Sequence, residues 1–332
     1  MSAALLSVRD IRVHFMIPAG SFLRPREMPL KAVDGISFDL RAGETLGIVG
    51  ESGCGKSTLG RAVLQLIPPT SGQVVWLGDN LAGKSPHEMR PFRKDMQIIF
   101  QDPLASLDPR MPVGEIIAEP LRTHEPSLPR AEVRKRVEAA MAEVGLLPQM
   151  INRYPHEFSG GQCQRIGIAR AMILRPRLVV CDEPVSALDV SIQAQIVNLL
   201  MDLQRQHDLA LVFISHNLAV VRHISHRIMV LYLGRLMELA DRDSLYARPL
   251  HPYTQALISA VPIPDPALER QRQRIVLKGD LPSPLAPPSG CVFRTRCPYA
   301  TRICADEVPV TETSHPGHEV ACHHWREVAS RG

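Results

Sequence analysis

Short uninterrupted apolar runs punctuate the chain: Leu46-Gly47-Ile48-Val49, Leu178-Val179-Val180-Cys181, Ala210-Leu211-Val212-Phe213-Ile214 and Ile228-Met229-Val230-Leu231-Tyr232. Such runs suit strands covered on both faces of a parallel sheet, where no solvent-facing side demands alternation. The pattern predicts further strands at residues 6–15, 36–40, 73–77 and 96–100. Helical spacing is predicted over 59–66, 113–122, 131–144, 162–174 and 191–206, the segment 131–144 carrying its charges on one face. Residues 18–30, with their Pro and Arg, read as a loop. Strands alternating with helices predict an α/β fold, with a core over 5–100 and 166–239 and a mostly helical insert over 101–165. Composition shifts after 240: Pro becomes frequent, four cysteines appear, and short helices are expected at 243–248 and 253–261. The expected organisation is therefore a domain over 1–240 and an extension over 241–332.

One predicted strand, 45–49, runs into Gly50-Glu51-Ser52-Gly53-Cys54-Gly55-Lys56-Ser57-Thr58 and then into a predicted helix. This fits G-x-x-x-x-G-K-[ST], the P-loop, in the strand–loop–helix setting that the motif requires. Gly50, Gly53 and Gly55 let backbone N–H groups of the loop approach phosphate oxygens, and the helix N-terminus adds partial positive charge. Lys56 can reach the β- and γ-phosphates of a nucleotide, and the Ser57 hydroxyl can bind Mg²⁺. A second strand ends in Asp182-Glu183. Asp182 is placed for the Mg²⁺ shell, and Glu183 for polarising an attacking water. Ser159-Gly160-Gly161-Gln162 opens another predicted helix and offers a second phosphate-binding surface.

With the P-loop before it and Asp182-Glu183 after it, Ser159-Gly160-Gly161-Gln162 resembles the signature of ABC transporter ATPases. Gln101 is similar to the family's Q-loop glutamine, which also contacts Mg²⁺, Ser186-Ala187-Leu188-Asp189 to its D-loop and His216 to its switch histidine. Phe15 is similar to the aromatic that stacks on adenine, with Phe22 or an aromatic from a neighbouring subunit as alternatives. The resemblance implies a P-loop NTPase core with a helical subdomain at about 101–165 and a small Pro/Cys-rich C-terminal extension. It implies ATP and Mg²⁺ as ligands, and Glu183, His216 and Gln101 in catalysis. It also implies a head-to-tail dimer in which each signature, with Asp189, meets the ATP on the partner's P-loop. Two positions depart from the usual pattern: Phe158 where Leu is common, and Asn217 where Asp is frequent.

Within that family, Gln101-Asp102-Pro103-Leu104-Ala105-Ser106-Leu107-Asp108-Pro109-Arg110, His251-Pro252-Tyr253-Thr254 and Gly279-Asp280-Leu281-Pro282-Ser283-Pro284 resemble the ATP-binding subunits of bacterial oligopeptide and dipeptide importers. That resemblance spans nearly the whole chain. It implies a peripheral subunit on the cytoplasmic face of the inner membrane, under two membrane-spanning permeases. A second, non-identical ATPase would sit beside it, and an external binding protein would deliver peptide. Glutathione or nickel as cargo, or a soluble non-transport ABC ATPase, are the alternatives.

Composition adds less. The net charge of +4 does not argue for nucleic acid. No apolar stretch approaches the roughly 20 residues of a membrane span. The first fifteen residues lack a basic start followed by an apolar block, so no secretory signal is expected, and the seven cysteines are expected to be reduced. Cys54, Cys163 and Cys181 sit inside motifs as small apolar fillers. Cys291, Cys297, Cys304 and Cys322 are a candidate metal set: a [4Fe–4S] cluster as in similar tails, or zinc with help from His315, His318, His323 or His324, or free thiols.

Overall fold

A computed structural model describes residues 4–19, 26–262, 265, 270 and 274–331. The chain opens with β1 (Leu6–Ala19), β2 (Arg26–Leu40) and β3 (Thr45–Val49), then α1 (Lys56–Val63), β4 (Ser71–Trp76) and β5 (Asp79–Asn80). Next come α2 (Pro86–Met89), β6 (Met96–Ile99), α3 (Val113–His124), α4 (Arg130–Glu143), α5 (Gly160–Met172), β7 (Leu178–Asp182), α6 (Val190–His207) and β8 (Ala210–Ile214). The remainder includes α7 (Leu218–Ile224), β9 (Arg227–Tyr232), β10 (Arg235–Asp241), α8 (Arg242–Ala247), α9 (Pro252–Ser259), β11 (Glu312–His315) and β12 (His318–Val320). Two compact units result.

The first unit contains Lys84–Ser215 and Leu40–Thr45. Strands β6, β7 and β8 lie parallel in that order, with Ile99 opposite Cys181 and Cys181 opposite Phe213. Every residue of β7 and β8 is buried, which is why these segments are apolar without alternation. Helix α3 packs on α4 and α5. Its buried face is Val113, Ile116, Ile117 and Leu121, at helical spacing.

The second unit contains Leu6–Asp39, Leu46–Gly83 and the chain from His216 onward. It holds an antiparallel sheet in the order β2-β1-β4-β5. It also holds β3 parallel to β9, followed by antiparallel β10, β12 and β11. Three expectations change. Residues 18–19 and 26–30 are strand rather than loop, because β1 and β2 are long arms that run past their buried bases. The segment 235–241 is a strand that was not predicted. The extension, expected to carry only short helices, adds β11 and β12 to the edge of β10.

Beneath that edge lies a buried carboxylate. Glu238 on β10 is fully buried, accepts the N–H of Leu250 at 2.7 Å and of His251 at 3.0 Å, and meets His318 Nε2 at 2.7 Å. A polar side chain is buried at tolerable cost only when its oxygens are hydrogen-bonded in this way.

Candidate nucleotide site

In the second unit the wholly buried β3 delivers Gly50 to the start of the P-loop. Gly50 has φ +154°, and a Cβ there would run into the carbonyl oxygen of Leu231. Gly55, with φ +99°, precedes α1, and a Cβ would strike the carbonyl oxygen of Ala32. Only glycine holds such a conformation at such close backbone approach. Helix α1 has no side-chain cap and no acidic residue in its first turn, which leaves its N-terminus suited to an anion. Lys56 is 4% exposed and curls back over the loop, donating to the carbonyl oxygens of Gly50 at 2.9 Å and Glu51 at 3.0 Å. Its Nζ lies 3.9 Å from Cys54 Sγ, and burial pushes that thiol's pKa up while the ammonium partly offsets it. Ser52 and Gly53 are exposed, and Ser57 and Thr58 half-buried in the first turn of α1.

The same unit holds His216, exposed, and Phe15, 38% exposed on β1. Phe22 lies outside the described residues. Asn217 caps α7: its Oδ1 accepts from the N–H of Ala219 at 3.0 Å and of Val220 at 3.4 Å. The amide thus does what a carboxylate would do at that cap, without the charge.

The first unit brings together Gln101, Asp182 and Glu183. Strand β7 carries Asp182 to its end, where the side chain is buried. Glu183 follows with φ +48°, a left-handed conformation rare for a residue with a Cβ. Its N–H donates to the Ile214 carbonyl at 3.1 Å, and its Oε2 accepts from Gln101 Nε2 at 3.3 Å. Strained backbone of this kind persists where neighbours over-determine it, and it concentrates at working sites.

Ser159 begins α5 with a capping box. Its Oγ accepts from the Gln162 N–H at 3.4 Å while its own N–H donates to Gln162 Oε1 at 2.9 Å. Gly160 is exposed, whereas a Cβ on Gly161 would sit 2.6 Å from Ile192 Cγ2 of α6. Asp189, exposed, stands at the N-cap of α6 without a side-chain cap bond.

The extension does not assemble the expected metal centre. Among the described residues, no three His, Cys, Asp or Glu side chains form a group able to hold a metal ion. The four tail thiols are near enough to repel one another as thiolates, and each of Cys291, Cys297 and Cys322 is pushed up first by burial. Cys297 reaches about 11 and Cys322 about 12.

Sequence reasoning missed two partners of the loop. Tyr253 Oη accepts the N–H of Glu51 at 3.0 Å, and Arg296 Nη1 donates to both carboxylate oxygens of Glu51. No local signal links positions so far apart.

Two family descriptions match the chain: "ABC transporter" over residues 33–186, and "Oligopeptide/dipeptide transporter, C-terminal region" over 237–304. The oligopeptide transport ATP-binding protein OppF of Escherichia coli (strain K12) is 62% identical over 320 residues, which cover 96% of this chain and 95% of that one. The oligopeptide transport ATP-binding protein AppF of Bacillus subtilis (strain 168) is 54% identical over 320 residues, with 96% and 97% covered. Among solved structures, an ATP-binding cassette in a dimeric, post-hydrolysis state bound to ADP and phosphate superimposes with a TM-score of 0.64 at 26% identity, covering 71% of this chain and 98% of that one.

Proposed function

This chain belongs to the ABC transporter ATPase family, and from that premise we propose that it hydrolyses ATP to energise the import of peptides across the bacterial inner membrane. The observation that carries the hydrolytic part is Glu183, held by Gln101 directly after the buried Asp182. A carboxylate fixed beside a metal-binding carboxylate is what activation of water at a γ-phosphate needs. Family membership and the relatives' names carry the cargo.

Each site residue then has a task. The loop from Gly50 to Thr58 cradles the phosphates, with Lys56 exchanging its carbonyl partners for phosphate oxygens. Ser57, Gln101 and Asp182 offer hydroxyl, amide and carboxylate oxygens, a donor set that fits Mg²⁺. When bound, Mg²⁺ neutralises charge on the β- and γ-phosphates. Glu183 orients and deprotonates water, and His216 holds it against the γ-phosphate. Ser159, Gly160, Gly161 and Gln162, with Asp189, cover the ATP on a second ATPase subunit, and Phe15 stacks on adenine.

Among the described residues no helix is long and apolar enough to cross a membrane. In this reading the chain sits at the cytoplasmic face of the inner membrane. Its partners are two permeases, a second and non-identical ATPase, and, indirectly, an external peptide-binding protein. The four tail cysteines have no part in hydrolysis. Iron and sulfide analysis of anaerobically purified protein decides whether they carry a [4Fe–4S] cluster, with zinc analysis as its companion.

The test is uptake of labelled di-, tri- and pentapeptides in cells lacking this gene. Rescue by the wild type but not by Lys56→Ala is expected. Unchanged peptide uptake in the deletion, with no redundant system present, overturns peptide as the cargo and turns the search to glutathione or nickel.

A further inference from the structure

Glu51 is an acid inside a loop that must receive a polyphosphate. Its partners come from the C-terminal side of the same unit. Arg296 Nη1 donates to Glu51 Oε1 at 2.9 Å and to Oε2 at 2.8 Å, and also lies 3.4 Å from Tyr232 Oη. The guanidinium stands 6.0 Å from the Tyr232 ring centroid. Tyr253, which accepts the Glu51 N–H, is fully buried against Tyr232 and Phe293, with ring centroids 4.9 and 5.3 Å away. Burial raises the Tyr253 phenol far above its usual range, so it stays neutral. The Arg296 side chain is 12% exposed, and its Nε is buried without a hydrogen-bond partner. A structure that tolerates that orphaned donor keeps the guanidinium where it is for its remaining contacts, of which the paired bonds to Glu51 are the shortest.

We propose that the C-terminal extension sets the nucleotide affinity of its own P-loop. Arg296 and Tyr253 are positioning residues: Tyr253 holds the first variable peptide of the loop, and Arg296 neutralises Glu51. Without Arg296, an uncompensated carboxylate faces the incoming triphosphate and repels it. The inference rests on the nucleotide reading of the loop and deepens it.

The decisive experiment is equilibrium binding of Mg-ATP to the full chain at low and high salt, with melting temperature and steady-state ATPase measured in parallel. Arg296→Ala is expected to weaken binding about tenfold, with kcat within about twofold of wild type, and Arg296→Lys to recover part of the loss. The variant carrying both Glu51→Ala and Arg296→Ala is expected to bind within about threefold of wild type, because the repelling charge leaves with its partner. Tyr253→Phe is expected to raise Kd by about threefold. Loss that persists undiminished in the double variant, or wild-type affinity in Arg296→Ala, overturns the proposal. Should Arg296→Ala fail to fold, Glu51→Gln decides: tighter binding supports the proposal, and unchanged or weaker binding overturns it. Lys56→Ala serves as the control. Wild-type affinity in that variant sinks the nucleotide reading itself, whereas its failure to bind beside an unaffected Arg296→Ala sinks only the proposal.

Discussion

Gln101 Nε2 donates to Glu183 Oε2 across 3.3 Å, joining the residue that ends one strand region to the one that ends the next. The bond orients a carboxylate whose backbone is already held in a left-handed conformation. Replacing Glu183 by Gln keeps the shape and removes the base. ATP turnover is expected to fall about 10²- to 10⁴-fold while ATP binding survives. Single-turnover assays and gel filtration with ATP check this, the latter by a shift toward a dimer. Wild-type-like hydrolysis would take Glu183 out of the catalytic role.

Lys56 is buried among the carbonyl oxygens of its own loop, so its ammonium is held ready where phosphate must arrive. Lys56→Ala is expected to abolish measurable ATP binding by calorimetry at concentrations that saturate the wild type. Because the residue caps no helix and, among the described residues, its shortest hydrogen bonds go to carbonyl oxygens, the melting temperature should change little.

Gly55 combines φ +99° with a backbone oxygen where a Cβ would go. Alanine there carries roughly 1–3 kcal/mol of backbone strain before any clash with Ala32 is relieved. Gly55→Ala is expected to lower the melting temperature and nucleotide affinity together. Gly53→Ala shares the positive φ, +78°, but meets open space, so its effect should be smaller. Equal effects in the two variants would contradict the steric argument.

His251 is buried, and burial lowers its pKa from 6.5 to about 3. Its Nδ1 accepts the N–H of Tyr253 at 3.0 Å, which requires the unprotonated ring. The folded state therefore refuses a proton that the unfolded chain accepts below about pH 6.5. Stability from this group is complete above that pH and drains away as pH falls toward 3. Thermal melts across that window should steepen for wild type and flatten for His251→Asn, whose side-chain oxygen can still accept the Tyr253 N–H. Parallel curves would assign acid sensitivity to other groups.

Ser159→Ala removes the Oγ that accepts from Gln162 and opens the capping box. About 1 kcal/mol of stability should go with it. Urea melts would read that loss; no loss would mean the box contributes nothing to the fold.

What the sequence revealed was local. The buried runs at β7 and β8 need no partner to be recognised, because two-sided burial leaves them without polar positions. The P-loop was readable because its glycines answer to steric demands within a few residues. Strands β11 and β12 were not readable: their segments, Glu312–His315 and His318–Val320, are short and mostly polar, and β11 is the edge strand, so alternation gives no signal. Glu238 looked like an ordinary charge on a strand, since the groups that shelter it lie 12, 13 and 80 positions away. The partners of Glu51 were invisible for the same reason. Cysteine spacing alone carried no information on whether the four side chains converge as ligands.

The shelter around Glu238 bears on how this protein is cut and recombined. Among the described residues, the groups that hydrogen-bond that carboxylate belong to the chain after residue 249. A cassette ended at 240 would keep the acid and lose all three donors, and β10 would present a bare edge to any passing strand. Such a fragment should precipitate rather than fold. Tail exchange between relatives should succeed only when the donor tail brings its own equivalents of Leu250, His251 and His318. The extension is in that sense a finishing piece of the sheet, and a graft that ignores this would be judged inactive for a reason unrelated to transport.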